Sequence, residues 1–439
     1  MHAPALELPS IASLKRLNLA DTIIRRNALL YGRIRQQIED FEALAPHERR
    51  RWRAVRLERL LRAARRTGYG RTHGCVGPLA EWPLLDKESV RDRQSEFLAT
   101  SAAFAVQGST SGTSGIPLTL KRSIVSVVYE QVMFDRLLER AGVAAASCRA
   151  AVLRGDDVKD PADRAPPYWR LANGGRRLIF SSNHLDRDSV EPFVRQLRAY
   201  QPELLLAYPT VLESLCALML ERGLELAIPV TLCASEVLTR HTAQLAARAL
   251  NTRVIGHYGQ AERVGWAASE STDGYRFDPS YSINELVPIE SEPDADIYEL
   301  IGTGLWNRAM PLVRYRTGDQ IRLRRGADSM AVAEGREPFL DVIGRNGDFL
   351  VAPSGARLMG IDHIPRGVPN VVRTQFIQES PERVRLLVVP AAEFGAESLE
   401  LLGAHAALKL PPSMTLAIET TNRLERNASG KTPLVVRRF

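Results

Sequence analysis

Apolar residues recur at helical spacing through residues 11–66. The stretch from 49 to 66 is the clearest case, where Trp52, Val55, Leu60, Leu61 and Ala64 form a stripe among arginines. This predicts helices, the basic one lying on the surface with one buried face. Pro83-Leu84-Leu85-Asp86-Lys87 predicts an extended turn, and residues 125–141 a further helix. Residues 101–119 are rich in Gly, Ser and Thr, and residues 155–175 in Asp, Pro and Gly; both predict loops. From 186 to 250 helical patterns alternate with short apolar runs such as Leu204-Leu205-Leu206 and Val230-Thr231-Leu232. That alternation predicts largely parallel strands joined by helices. Beyond Gly256 strand-like runs dominate, as at 297–301 and 320–323, and from about Gly344 a smaller α+β pattern begins, with strands over 373–378 and 384–389. The predicted class is α/β: a large multi-layer N-terminal domain, residues 1–343, and a small mobile α+β C-terminal domain, residues 344–439.

Composition narrows the functional classes. The chain of 439 residues is 45% hydrophobic and 25% charged, in the globular range. No apolar run approaches the roughly 20 residues that span a bilayer. The first residues are broken by Pro4 and Pro9 and lack a signal-peptide core. A cytoplasmic protein without a membrane partner is expected. The four cysteines, Cys75, Cys148, Cys216 and Cys233, form no C-x-x-C pair and no zinc-finger spacing. Reduced structural thiols are expected. The net charge is +7, carried mainly by arginine. Besides a surface helix, the basic stretch also fits a docking face for an acidic partner such as an acyl carrier protein. No nucleic-acid partner is expected, because no zinc finger, helix-turn-helix or aromatic-interleaved RNA motif is present.

Five segments carry candidate chemistry. Gly108-Ser109-Thr110-Ser111-Gly112-Thr113-Ser114-Gly115-Ile116-Pro117 combines glycines, which let backbone N–H groups approach a ligand, with hydroxyl donors. Such a loop suits polyphosphate oxygens, and equally a flexible linker. It lacks the Gly-Lys-Ser/Thr of a Walker loop and the Gly-x-Ser-x-Gly of a hydrolase elbow. Tyr258-Gly259-Gln260-Ala261-Glu262 offers a ring to stack on a purine and a carboxylate for Mg²⁺. Tyr315-Arg316-Thr317-Gly318-Asp319 offers an acceptor for ribose hydroxyls. Gly344-Arg345 lies at the predicted boundary. Ser429-Gly430-Lys431 places a cation near the C-terminus, where it could stabilise charge on a phosphoryl group. Taken singly, each also reads as an ordinary turn or surface residue.

Order and spacing together resemble the adenylate-forming superfamily of acyl-CoA synthetases, peptide-synthetase adenylation domains and luciferases. Thr110 to Pro117 is similar to its phosphate loop, Tyr258 to Glu262 to its Tyr-Gly-x-Thr-Glu motif, and Tyr315 to Asp319 to its Tyr-Arg-Thr-Gly-Asp motif. Lys431 falls where its late catalytic lysine sits. Leu84-Leu85-Asp86-Lys87, Ser181-Ser182-Asn183-His184-Leu185, Ala207-Tyr208-Pro209-Thr210 and Ala234-Ser235-Glu236-Val237-Leu238 resemble segments of its phenylacetate–CoA ligase-like, or CapK-like, branch. Three positions depart from the pattern: Ala261 replaces the usual Thr, Leu118 follows Pro117 in place of Lys, and Gly347 takes the place of the hinge Asp.

The resemblance implies ATP and Mg²⁺ as cofactors and a small carboxylic acid as substrate. It implies nucleotide binding by Ser109, Thr110, Ser111, Gly112, Thr113, Ser114, Gly115, Tyr258, Gly259, Asp319 and Arg345. Glu262 would hold Mg²⁺, and Lys431, Glu262 and His184 would be catalytic. His184 falls in a segment implied to line the acyl or thiol site, and equally reads as a hydrogen-bonded histidine at a strand end. The acyl group would pass to coenzyme A, to a carrier-protein thiol, or to an amine giving an amide. A degenerate nucleotide-binding protein and an unrelated phosphate-binding enzyme are the remaining readings. Arg154, Asp156 and Asp157 form a charged loop without a role.

Overall fold

The computed structural model describes residues 21–439 except 74–76, 100–104, 110–117, 155, 157, 160–162, 164, 271–273, 346–348, 354–356, 359–360, 362–363, 366–367 and 427–431. Thr110 to Gly115, Gly347 and Lys431 therefore lie outside the described residues. The basic segment is the helix Pro46–Arg65, started by proline at its first turn. It buries Leu60, Leu61 and Ala64, while Val55 points out at 48% exposure. The buried stripe runs through Trp52 instead, whose ring meets Phe41 and Trp306 and carries the Arg56 guanidinium above it.

A hairpin of β1 (Val106–Ser109) and β2 (Thr119–Arg122) brackets the Gly/Ser/Thr-rich segment, with Ser109 opposite Thr119. Ser123 then caps the helix Ile124–Arg140 by accepting from the Ser126 N–H at 3.3 Å. The main sheet follows: β3 (Ala150–Leu153), β4 (Trp169–Ala172), β5 (Arg177–Phe180), β6 (Leu204–Ala207), β7 (Val230–Ala234), β8 (Arg253–Gly259), β9 (Trp266–Ser269) and β10 (Arg276–Phe277). Its spatial order is β10-β9-β8-β7-β6-β3-β5-β4, and β5, β3, β6, β7 and β8 run parallel. The parallel strands are nearly all apolar because both faces are covered. Ala151, Leu153, Leu205, Ala207 and Cys233 face the helices Val190–Tyr200, Pro209–Glu221 and Arg240–Leu250. Ala150, Leu204, Val230, Leu232 and Ile255 face the helix Ile124–Arg140. Strand β4 corrects the prediction of a loop over 155–175. It is an edge strand with Leu171 59% exposed, so its residues carry no inward-facing pattern to read.

A four-stranded antiparallel sheet comprises β11 (Ser282–Ser291), β12 (Ala295–Gly304), β13 (Tyr315–Arg324) and β14 (Asp341–Arg345). After the short pair β15 (Leu350–Val351) and β16 (Arg357–Leu358), the small α+β domain is built on β17 (Val371–Ser380), β18 (Arg383–Pro390), β19 (Thr415–Thr420) and β20 (Val435–Arg437). The helix Ala396–Lys409 covers this sheet through Leu402 and Ala406, against Phe376, Leu386 and Val388. Val342 on β14 packs with the core around Phe339, whereas Leu350 belongs to the core built on β17 and β18. The described cysteines Cys148, Cys216 and Cys233 are free and buried, and burial pushes the Cys233 thiol up to about 12. Among the described residues no helix is long and apolar enough to cross a membrane.

Candidate active site

β8, the last of the parallel strands, ends at Tyr258 and Gly259, and the turn of residues 260–263 carries Glu262. β13 begins at Tyr315 in the neighbouring sheet. Its ladder with β12 shifts register between Glu299 and Ile301. Gly318 sits in the resulting bulge at φ +72°, a conformation strained for any residue with a side chain. Thr317 braces the bulge: its hydroxyl donates to the Leu300 carbonyl at 2.8 Å and accepts from the Asp319 N–H at 3.0 Å.

The two motifs then exchange hydrogen bonds. The Tyr258 hydroxyl donates to Asp319 Oδ2 at 2.6 Å, and the Tyr315 hydroxyl donates to Glu262 Oε1 at 3.0 Å. All four side chains are buried. Burial, then the nearby Asp319 charge, holds the Tyr258 hydroxyl well above its ordinary pKa, so it remains a donor. Gln260 Nε2 donates in turn to the Tyr258 hydroxyl. Glu262 Oε2 is shielded from solvent and has no partner among the described residues. An unpartnered carboxylate oxygen in a cleft fits a divalent cation, and Mg²⁺ is commonly held by one or two carboxylates together with substrate phosphates.

The phosphate-loop candidate is tied to this place. Arg122, at the end of β2, donates from Nε at 3.0 Å and from Nη2 at 2.7 Å to the Ala261 carbonyl, directly before Glu262. The base of the hairpin that brackets residues 110–117 is thereby fixed against the Glu262 turn. Arg345 is the cross-strand partner of Asp319 in the β13–β14 ladder. Leu85 lends further support to β13: its N–H donates to the Arg314 carbonyl and its carbonyl accepts from the Arg316 N–H.

His184 occupies a different environment. It is fully buried, with Nδ1 2.7 Å from Ser181 Oγ and Nε2 2.9 Å from the Asp163 carbonyl. A carbonyl can only accept, so Nε2 carries a proton. Ser182, next in the same corner, donates to the Arg154 carbonyl at 2.5 Å and receives Arg426 of the small domain through Nη1 at 2.5 Å and Nη2 at 2.8 Å. Further along the sheet edge, Thr210 donates to Glu236 through its N–H at 3.1 Å and its hydroxyl at 2.6 Å. The segments around His184, Thr210 and Glu236 thus meet at the carboxyl edge of the parallel strands, where open α/β sheets bind ligands. A groove of about 800 Å³ opens at the opposite edge beside Pro202, Pro229 and Asn251, away from Glu262 and Asp319.

Gln375 is a positioning residue that the pattern of the chain does not reveal. Fully buried on β17, it accepts from the Glu425 N–H at 2.8 Å and donates from Nε2 to the Glu425 and Pro433 carbonyls, each at 2.9 Å. One side chain therefore holds both flanks of residues 427–431. Gln375→Leu is expected to cost about 1–3 kcal/mol by leaving these backbone groups unpaired. The melting temperature should fall, and hydrogen exchange should quicken at Glu425 and Leu434 while β18 stays protected. Unchanged exchange at those flanks would refute the clamp.

The comparisons agree with this architecture. The family model of the CapK C-terminal domain matches residues 350–438. Protein CapK of Staphylococcus aureus is 22% identical over 364 residues, covering 81% of this chain and 79% of that protein. A phenylacetate-coenzyme A ligase of Pseudomonas putida is 25% identical over 297 residues, 63% of each chain. In structure, 2-hydroxyisobutyryl-CoA ligase in its postadenylation state, in complex with R3-HIB-AMP, superposes with a TM-score of 0.62 over 90% of both chains at 14% identity. Its fold is that of an adenylate-forming ligase, a large domain of layered sheets and helices with a small α+β domain. Residues 350–438 thus match the CapK C-terminal domain family, and the chain resembles the CapK and phenylacetate–CoA ligase-like branch of the adenylate-forming superfamily.

Proposed function

We propose that this protein uses ATP to activate a carboxylic acid as an acyl-AMP and then transfers the acyl group to the thiol of coenzyme A or of a carrier protein. The observation that carries this reading is the crossed pair Tyr258–Asp319 and Tyr315–Glu262, which sets two buried carboxylates beside the anchored base of the hairpin. In the first step a substrate carboxylate oxygen attacks the α-phosphorus, and the bond from that phosphorus to the pyrophosphate oxygen breaks. In the second, the thiol sulfur attacks the acyl carbonyl, its proton is lost and AMP leaves. No covalent enzyme intermediate is needed, so positioning and charge stabilisation supply the catalysis.

In this reading residues 109–115 receive the phosphates, Tyr258, Gly259, Asp319 and Arg345 hold the nucleoside, and Lys431 meets the phosphoryl charge. Glu262 would hold Mg²⁺, which would neutralise phosphate charge. His184 is a positioning residue: with both ring nitrogens occupied, it braces the Ser181–Ser182 corner against which the small domain docks. The two domains divide close to residues 343–344, at β14. A cytoplasmic setting, where ATP and coenzyme A are available, goes with this reading.

The test is carboxylate-dependent ATP–pyrophosphate exchange over a panel of acids, followed by coenzyme A, carrier protein and amines as acceptors. Absence of exchange with every acid would overturn the proposal, and amide formation in preference to thioester would overturn its second half. Asp319→Ala supplies a second check. Leaving ribose hydroxyls unpaired costs roughly 1–3 kcal/mol. ATP affinity should accordingly fall by about one to two orders of magnitude. Unchanged affinity by calorimetry would remove Asp319 from the nucleotide site.

A further inference from the structure

At the carboxyl edge of the main sheet the chain leaves β3 towards β5 and leaves β6 towards β7, so the strand ends part there. A crevice of this kind is where open α/β sheets take ligands. Arg154 follows β3 and Tyr208 follows β6, and the guanidinium lies 5.9 Å from the Tyr208 ring centroid. By strand alternation Arg154 and His257 share the face covered by the helix Ile124–Arg140, while Tyr208 packs against the core on the other face. From that helix Phe134 meets the His257 ring at 4.4 Å between centroids, and the Trp266 ring of β9 lies 5.3 Å from it.

Three shielded polar atoms on this wall have no partner among the described residues: Arg154 Nε, His257 Nε2 and Trp266 Nε1. Buried polar groups are ordinarily paired, and a cluster of orphans on one wall points to a ligand that is held there. A Cβ at Gly259 would lie 2.7 Å from His257 Cε1 and 3.0 Å from its Nε2, so glycine keeps the way open between this wall and the Glu262 turn. Arg154 is the unusual member. Desolvation pulls its pKa below the ordinary range; Asp156 is near enough to oppose that shift, yet no ion pair with Arg154 forms among the described residues. Burial, then the charge of Arg154, drives His257 down to about 3, so the imidazole is neutral at physiological pH and Arg154 is the cation of this wall. A desolvated guanidinium without a carboxylate partner is unfavourable until an anion reaches it.

We propose that Arg154 is a specificity-determining residue of the acid pocket and that the substrate is a compact acid bearing a second anionic group, which pairs with this guanidinium. The inference rests on the adenylation reading above and deepens it. The reacting carboxylate would lie by Gly259 and Glu262 at the end of β8, and the second group beside Tyr208 at the end of β6. That is two strand spacings, about 10 Å, or somewhat less because Arg154 reaches inward. The span suits a dicarboxylic acid on an aromatic ring or a short aliphatic chain, with Phe134 and Trp266 as its apolar walls.

The experiment compares benzoate with isophthalate and terephthalate, and butanoate with succinate and glutarate, in ATP–pyrophosphate exchange by the wild type, Arg154→Gln and Arg154→Lys. The wild type is expected to prefer a diacid in at least one series. Arg154→Gln should lower the ratio of diacid to monoacid kcat/KM by about a hundredfold, as truncating one partner of a buried charge pair does; Arg154→Lys should retain part of the preference. Without ligand, Arg154→Gln should melt at a higher temperature than the wild type, since it removes an uncompensated buried charge, and the diacid should no longer raise its melting point. Exchange confined to monoacids, an unchanged ratio in Arg154→Gln, or a lower melting temperature of that variant would each overturn the inference while leaving adenylation in place. Absence of exchange with every acid would overturn both.

Discussion

Lys431→Ala is expected to lower formation of acyl-AMP by about 10²–10³-fold, the usual loss on removing one donor that meets developing charge. Lysine suits the role because its ammonium is compact, has three donors and rides on a flexible stem. Its segment is held at both flanks by Gln375, and a few residues earlier Arg426 grips the Ser182 corner of the large domain. These contacts join the two domains across the carboxyl edge of the main sheet. Beside them, desolvation raises the pKa of Glu213 on the large domain and lowers that of Arg373 on the small one. The resemblance to the superfamily implies that the small domain rotates after the first half-reaction and withdraws Lys431. The variant should therefore still convert chemically prepared acyl-AMP to thioester at close to the wild-type rate. Equal damage to both half-reactions would make Lys431 structural, and normal adenylation would remove it from the site.

Periodicity predicted the architecture well where strands are buried on both faces. The apolar runs at 204–206 and 230–232 became β6 and β7, and the runs at 373–378 and 384–389 became β17 and β18. It failed at β4, where an edge strand has one neighbour and exposes its apolar side chain. The motifs around Glu262 and Asp319 were legible as motifs. Their pairing was not, because Tyr315 lies 53 positions from Glu262 and Tyr258 lies 61 from Asp319, and only the packing of two sheets brings them together. Arg122, Gln375 and Arg154 were missed for a related reason. Each is a polar residue whose local pattern fits a solvent-facing position, and its role depends on a carbonyl or a crevice supplied from far along the chain. Arg154 stood out in the sequence only as part of a charged loop.

Glu262→Gln should reduce pyrophosphate exchange by about 10²-fold with little harm to the fold. The amide keeps an oxygen to accept from the Tyr315 hydroxyl, so the bond across the two sheets can persist. What disappears is the negative charge behind Oε2, the atom that has no partner among the described residues. Removing a charge from a buried site relieves its burial cost but forfeits its attraction to Arg122, so the melting temperature should change little. The Mg²⁺ concentration giving half-maximal exchange should move upward, because a neutral amide is a poor ligand for a hard cation. Glu262→Asp, which keeps the charge on a shorter stem, should fall between the two. A variant that exchanges pyrophosphate at the wild-type rate at limiting Mg²⁺ would exclude Glu262 as the metal ligand. A sharp loss of melting temperature would instead mean that the carboxylate serves to pin the turn after β8 to β13.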